Sequence, residues 1–202
     1  MSIIDKNLYL IKENFLTESE TKLLEHYCKL THRLNFSQFD GASHFDTGIY
    51  SDKVFEALIM SKKNLMEELT NKKLMPTYSY WRMYTLGNSL KMHTDRPSCE
   101  YSVSIMISSD KTPWAFVAGD KEYIQKPGDA VVYKGCELPH GRPTAFEGDH
   151  HAQVFLHYID VEGPHQDWAF DSKPCLGLDL THMNPEKRKE LEKKKGKIQH
   201  AN

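Results

Sequence analysis

A chain of 202 residues, 39% hydrophobic and 27% charged, has the makeup of a globular domain with a sizeable core rather than of a disordered polymer. A formal net charge of −2 argues against nucleic acid and membrane surfaces as partners. Four cysteines (Cys28, Cys99, Cys136 and Cys175) with no CxxC pair among them argue against a zinc ribbon, a thioredoxin-type motif or a secreted disulfide framework. No apolar run reaches the length of a membrane span. The opening MSIIDKNLYLIKENF is interrupted by charge before it can form the apolar stretch of a signal peptide, so a soluble cytoplasmic protein is expected.

Residues 7–12, NLYLIK, read as a first short strand. Thr17-Glu18-Ser19-Glu20 is a capping box, and the helix it opens carries Leu23, Leu24, Tyr27 and Leu30 on one stripe. Residues 36–50, rich in Ser, Asp, Gly and Phe, read as loop or short strand. A second helix is predicted from near Ser51 to about Lys72, with Val54, Leu58, Leu65 and Leu69 near helical spacing, and Pro76 ends the helical part. The period then shortens. YSYWRMY (78–84) suits a strand. In residues 101–107, Tyr101, Val103, Ile105 and Ile107 alternate with Ser102, Ser104 and Met106, the pattern of a half-buried strand. WAFVAGDKEYIQ (114–125) reads as a hairpin turning at Gly119-Asp120, and Lys126-Pro127-Gly128-Asp129 as a turn leading into AVVYKG (130–135). QVFLHYID (153–160) is the last strong strand.

Helices followed by many short strands predict an α+β fold whose strands close into a jelly roll or barrel. The expected organisation is a single domain over residues 1–175, helical to about 75 with a β core over about 76–162, and a charged tail over 176–202. Within that tail NPEKRKELEKKKGK (184–197) has no apolar stripe and reads as a solvated terminal helix or a disordered segment.

The chemistry begins at LKMHTD (90–95). Alternate residues of a strand share a face, so His93 and Asp95 project together with Thr94 turned away. An imidazole and a carboxylate on one face can chelate a divalent metal, but two ligands are too few. LPHGRP (138–143) offers a third in His140, just after the AVVYKG strand and its turn. Two histidines and a carboxylate on one side of a metal form the facial triad of non-haem Fe(II) oxygenases, which leaves positions open for a bidentate cosubstrate and O2. A closed tetrahedral zinc site would want a fourth protein ligand.

YSYWRMYTLGNSLKMHTD (78–95), YSVSIMIS, KPGDAVVYKG, CELPHGRP and QVFLHYID occur in an order that resembles the 2-oxoglutarate- and Fe(II)-dependent oxygenases, on the branch similar to prolyl 4-hydroxylases. The resemblance covers roughly residues 76–160. It implies a double-stranded β-helix (a jelly-roll or cupin-like core) with the N-terminal helices packed on it. It also implies His93, Asp95 and His140 as iron ligands, Fe(II) and O2 with 2-oxoglutarate as cosubstrate, and hydroxylation of an unactivated C–H bond. The substrate it implies is a prolyl or other amino-acid side chain, in a small molecule, peptide or protein.

The family places an Arg or Lys about ten residues beyond the distal histidine, to bind the far carboxylate of 2-oxoglutarate. Here that stretch reads GDHHAQVF, with His150, His151 and Gln153 and no cation of that kind. Arg142 is the expected anchor, since in an extended segment it shares the face of His140 and its guanidinium fork fits a carboxylate. His151, protonated or sharing the task with Gln153, is the alternative. Tyr84 matches a tyrosine that family members place near the cosubstrate, and His157 reads either as pocket floor or as a core histidine. Two rivals stand beside the oxygenase reading: a cupin-like metalloenzyme using zinc or manganese on the same ligands, and a module that binds 2-oxoglutarate without turning it over.

Overall fold

The computed structural model describes residues 3–38 and 47–177 together with Glu186. Residues 39–46 of the segment read as loop, and the charged run 184–197 apart from Glu186, lie outside the described residues. Three helices, α1 (Ile3–Asn7), α2 (Glu18–Gln38) and α3 (Lys53–Thr70), are interleaved with strands β1 (Tyr9–Lys12) and β2 (Thr47–Tyr50). The remaining strands follow without a further α-helix: β3 (Leu74–Tyr84), β4 (Leu90–His93), β5 (Tyr101–Ser109), β6 (Phe116–Ala118), β7 (Lys121–Tyr123), β8 (Ala130–Tyr133), β9 (His140–Arg142) and β10 (His151–Asp160). α1 carries no sequence signature; its Ile4 is fully buried in the main core.

The strands form two antiparallel sheets, one six-stranded in the order β1-β8-β5-β10-β3-β2 and one four-stranded in the order β4-β9-β6-β7. This is a double-stranded β-helix with helices on the outer face of the larger sheet. The capping box forms as expected, with Thr17 N donating to Glu20 Oε2 at 2.8 Å and Glu20 N to Thr17 Oγ1 at 3.2 Å. Asp52 caps α3 by accepting from Val54 N at 2.9 Å, and Asn71 ends it in the left-handed region at φ 55°.

The sheet alternation sorts side chains into two environments. On β10, Ala152, Val154, Leu156 and Tyr158 join the apolar core shared with α2 and α3, while His151, Gln153, Phe155 and His157 take the opposite face. On β3, Trp81 packs against Phe55 of α3 with ring centroids 5.9 Å apart, and Tyr78, Tyr80, Arg82 and Tyr84 line the barrel interior. β5 departs from the half-buried strand read from its pattern, because its first eight residues are all buried. Its Ser102 and Ser104 do not face water. They point into the barrel, where their small size leaves room for His157 and Gln153, to which they hydrogen-bond at 2.8 Å each.

Candidate metal centre

β4 and β9 pair antiparallel with His93 opposite His140, which brings together two residues 47 positions apart. The two ring centroids lie 4.5 Å from each other. β4 ends at His93, so Asp95 sits just beyond the strand rather than within it, its backbone held by Asp95 N donating to Gly135 O at 2.8 Å. Asp95 Oδ1 lies 3.5 Å from His93 Nε2, and Oδ2 lies 3.6 Å from His140 Nε2. One ligand atom from each of the three residues falls within 4.8 Å of the others.

The ring orientations are fixed by the backbone. His93 Nδ1 is 2.8 Å from Lys91 O and His140 Nδ1 is 2.8 Å from Leu138 O. A carbonyl only accepts, so each Nδ1 carries a proton, and each Nε2 is left facing Asp95, the atom that bonds the carboxylate or, without its proton, a metal. Burial alone would raise the Asp95 carboxyl, but hydrogen bonding to His140 and His93 outweighs it and holds the group well below the usual carboxylate range. Two imidazole nitrogens and an ionised carboxylate, oriented before any metal arrives, fit a divalent cation with a preference for mixed N and O ligands.

Two glycines make the close approach of strands workable. A Cβ on Gly135 would stand 2.3 Å from Cys99 O and 2.5 Å from Asp95 Oδ2; one on Gly141 would stand 2.7 Å from Leu90 O and 2.8 Å from Lys91 O.

The triad lies in the wall of a cavity of about 320 Å³ that is also bounded by Tyr50, Tyr78, Tyr80, Arg82, Tyr84, Arg96, Tyr133, Phe155 and His157. His157 serves both of its expected uses at once. It lines the cavity, stacks on Tyr78 with centroids 4.5 Å apart, and bonds Ser102 through Nδ1; burial holds its ring neutral, pushed down to about 4.

Arg142 follows His140 on the same face of β9 but is 1% exposed and sits outside that open cavity. Its Nη1 donates to Trp114 O at 2.5 Å, and its Nη2 to Gln125 Oε1 at 2.9 Å and Gln153 Oε1 at 3.2 Å. The guanidinium also lies over the rings of Trp114 and Phe116, 4.8 and 5.5 Å from their centroids. Among the described residues no carboxylate pairs with it. Burial pushes its pKa down to about 10, which still leaves it a cation.

His151 is adjacent. Its Nε2 lies 2.9 Å from Gln153 Oε1, an oxygen fixed as acceptor by Arg142 and by the Gln153 amide nitrogen donating to Ser104 Oγ. The proton is therefore on Nε2, and Nδ1 is a buried lone pair without a hydrogen-bond partner among the described residues. Burial first, and the Arg142 charge second, push this ring down to about 3, so it is neutral. Tyr84 packs edge-on against Trp114 at 4.9 Å.

Sequence reasoning missed several of these side chains. Gln125 sits at the end of a segment read only as a hairpin, and its Nε2 is committed to Ser104 O and Asp129 O. Arg96, next to Asp95, lies over the Tyr78 ring at 4.7 Å and pairs with Asp171 at 2.7 Å. No local pattern marks either residue; both are assigned by closure of the barrel.

No protein-family profile matches the chain, and no curated protein matches it by sequence. Solved structures do. HygX from Streptomyces hygroscopicus, determined with nickel and 2-oxoglutarate bound, is 13% identical with a TM-score of 0.63 over 81% of this chain and 86% of its own. EctD from S. alaskensis is 12% identical with a TM-score of 0.64 over 85% of this chain and 79% of its own. The viral collagen prolyl hydroxylase vCPH from Paramecium Bursaria Chlorella virus-1, in complex with 2OG, is 10% identical with a TM-score of 0.59 over 80% of this chain and all of its own. The chain therefore has the double-stranded β-helix fold of 2-oxoglutarate- and Fe(II)-dependent oxygenases, prolyl hydroxylases among them. No described helix is long and apolar enough to cross a membrane.

Proposed function

We propose that this protein is a non-haem Fe(II) oxygenase that couples the oxidative decarboxylation of 2-oxoglutarate to hydroxylation of an unactivated C–H bond. The observation that carries this reading is the convergence of His93 Nε2, His140 Nε2 and the Asp95 carboxylate on one point in the wall of an open cavity. Fe(II) bound there would activate O2 at the expense of 2-oxoglutarate, which leaves as succinate and CO2 while the substrate gains a hydroxyl. The fold's neighbours support this reading: one HygX structure holds nickel and 2-oxoglutarate, another holds iron, and EctD has been determined with bound Fe.

The chain's own residues hold and orient. His93 and His140 contribute neutral donors, and Asp95 contributes the one negative charge that suits a metal passing to higher oxidation states. Arg142 is the anchor for the far carboxylate of 2-oxoglutarate. A guanidinium has five N–H donors; among the described residues three are taken by neutral acceptors, leaving two and a charge that no described carboxylate pairs. His151 is the weaker candidate, because its free nitrogen is a lone pair that a carboxylate would repel. Gln153 and Gln125 hold the guanidinium in place, and Tyr84 shapes the cavity wall on the cosubstrate side. The substrate, a small molecule or a prolyl or other amino-acid side chain of a peptide or protein, would occupy the cavity lined in part by Tyr80 and Phe155, whose rings stack 6.3 Å apart. Free thiols at the buried Cys28 and Cys99 are in keeping with a reducing, cytoplasmic setting.

The test is Fe(II)-dependent succinate formation from 2-oxoglutarate in the presence of free amino acids and prolyl peptides. Wild-type protein should produce succinate, and His93→Ala and Asp95→Ala should not. Undiminished turnover in those variants would rule the assignment out.

A further inference from the structure

Asp171 lies in the segment that follows β10, outside both sheets, yet it is 1% exposed. Its carboxylate accepts from Arg96 Nη1 at 2.7 Å and from the Tyr50 hydroxyl. The backbone that delivers it is unusual: Phe170, Asp171 and Ser172 are consecutive non-glycine residues in the left-handed region, at φ 52°, 55° and 58°. Such a run persists only where the surroundings over-determine it, and it points to a requirement for the side chain it places.

The requirement follows from what Arg96 would otherwise do. Arg96 immediately follows Asp95 and lines the same cavity. A guanidinium beside a buried carboxylate pairs with it bidentately when nothing else engages it. That pairing would occupy the oxygens Asp95 needs for a metal. In the structure it does not occur: the described contacts of the Asp95 carboxylate come from His93, His140 and Ser102, and those of Arg96 from Asp171, Tyr78 and Trp168.

We propose that Asp171 is a positioning residue that holds Arg96 against the cavity wall, away from the neighbouring carboxylate of Asp95, and so keeps Asp95 available to the metal. The proposal rests on the metal-site reading above. It makes Asp171, in the segment after β10, part of the metal centre through Arg96 rather than through a metal ligand.

The experiment is calorimetric binding of Mn(II), which does not react with O2, to metal-free full-length protein, with thermal unfolding recorded alongside. Asp171→Asn leaves Arg96 without its carboxylate, and Mn(II) affinity should fall about tenfold or more, in the range typical of losing a residue that orients a ligand. Arg96→Gln removes the competitor and should bind Mn(II) within about threefold of wild type. The Arg96→Gln/Asp171→Asn double variant should recover most of the loss. Asp171→Asn binding like wild type, or a double variant no better than Asp171→Asn, would overturn the proposal. If Asp171→Asn does not fold, Arg96→Ala and Arg96→Ala/Asp171→Ala carry the test: equal affinities are expected, and a tenfold gap between them would overturn it. Wild-type protein that takes up no metal would defeat the metal-site reading and this inference together; wild type that binds, with Asp171→Asn indistinguishable from it, defeats this inference alone.

Discussion

At one end of the barrel interior His93, Asp95 and His140 face an open cavity, and both rings are oriented by carbonyls of their own strand segments two residues back. Two positions further along β9, Arg142 is shut away, and its neighbours are side-chain amides and aromatic faces rather than backbone of its own strand. The first cluster is pre-set by local geometry around one shared point. The second holds a buried guanidinium that no carboxylate among the described residues pairs with. Burying a charge without a counter-ion is expensive, so the two ends should respond differently to mutation and to pH.

Removing the buried charge should separate the ends most sharply. Arg142→Leu is expected to raise the KM for 2-oxoglutarate by about 30- to 4,000-fold, the effect of deleting one side of a desolvated charge pair worth about 2–5 kcal/mol. Metal affinity should stay within a few-fold, and thermal stability without cosubstrate should hold or rise, since an uncompensated cation has been replaced by an apolar group. Mn(II) and 2-oxoglutarate titrations with thermal unfolding check all three.

Acid should act next, through the buried rings. Burial keeps His157 neutral down to about 4 and His151 down to about 3, whereas in the unfolded chain both protonate near 6.5. As the pH falls below about 6.5 the unfolded chain binds more protons than the folded one, so stability declines toward pH 4. At about 1.4 kcal/mol per pH unit the loss for either ring is about 3 kcal/mol by the lower limit. Urea unfolding at pH 7 and pH 4.5 should show this loss, and His151→Gln should lose measurably less over the same interval.

Gly141→Ala strikes the opposite end. Its Cβ would press on the carbonyls of Leu90 and Lys91, which are backbone and cannot rotate away. Parting β4 from β9 should destabilise the fold by about 2 kcal/mol and weaken Mn(II) binding by separating His93 from His140. The smallest effect belongs to Ser104→Ala, which removes one neutral hydrogen bond to Gln153 at 2.8 Å. About 1 kcal/mol of stability should go, with a slight rise in the KM for 2-oxoglutarate and none in the affinity for metal.

The two ends also differ in how far they could be read from residues alone. His93, Asp95 and His140 are legible because a histidine and an aspartate one residue apart, a proline-glycine turn and a distal histidine occur in an order that constrains their meeting. The helices announce themselves through the capping box at Thr17 and apolar residues near helical spacing, but the faces they bury differ from those read: α3 buries Phe55, Leu58, Ile59 and Met66 with Val54 exposed, and Leu23 and Leu30 of α2 are exposed. The Arg142 cluster is only half legible: the arginine shows by its spacing from His140, but Gln125, Ser104 and Gln153 show nothing until β5, β9 and β10 are in place. β5 misled for a physical reason. Serines alternating with aliphatics normally mean one wet face, whereas here the serines face an interior that is itself polar. The Arg96–Asp171 pair spans 75 positions and depends on three left-handed residues that no composition signals.

The most direct measurement is the iron stoichiometry of the purified protein reconstituted anaerobically with Fe(II), for wild type beside His140→Ala. One iron per chain in the wild type, and none retained by His140→Ala through the same dialysis, is the expected result. Iron held as tightly after the imidazole at position 140 is removed would contradict the account at its root.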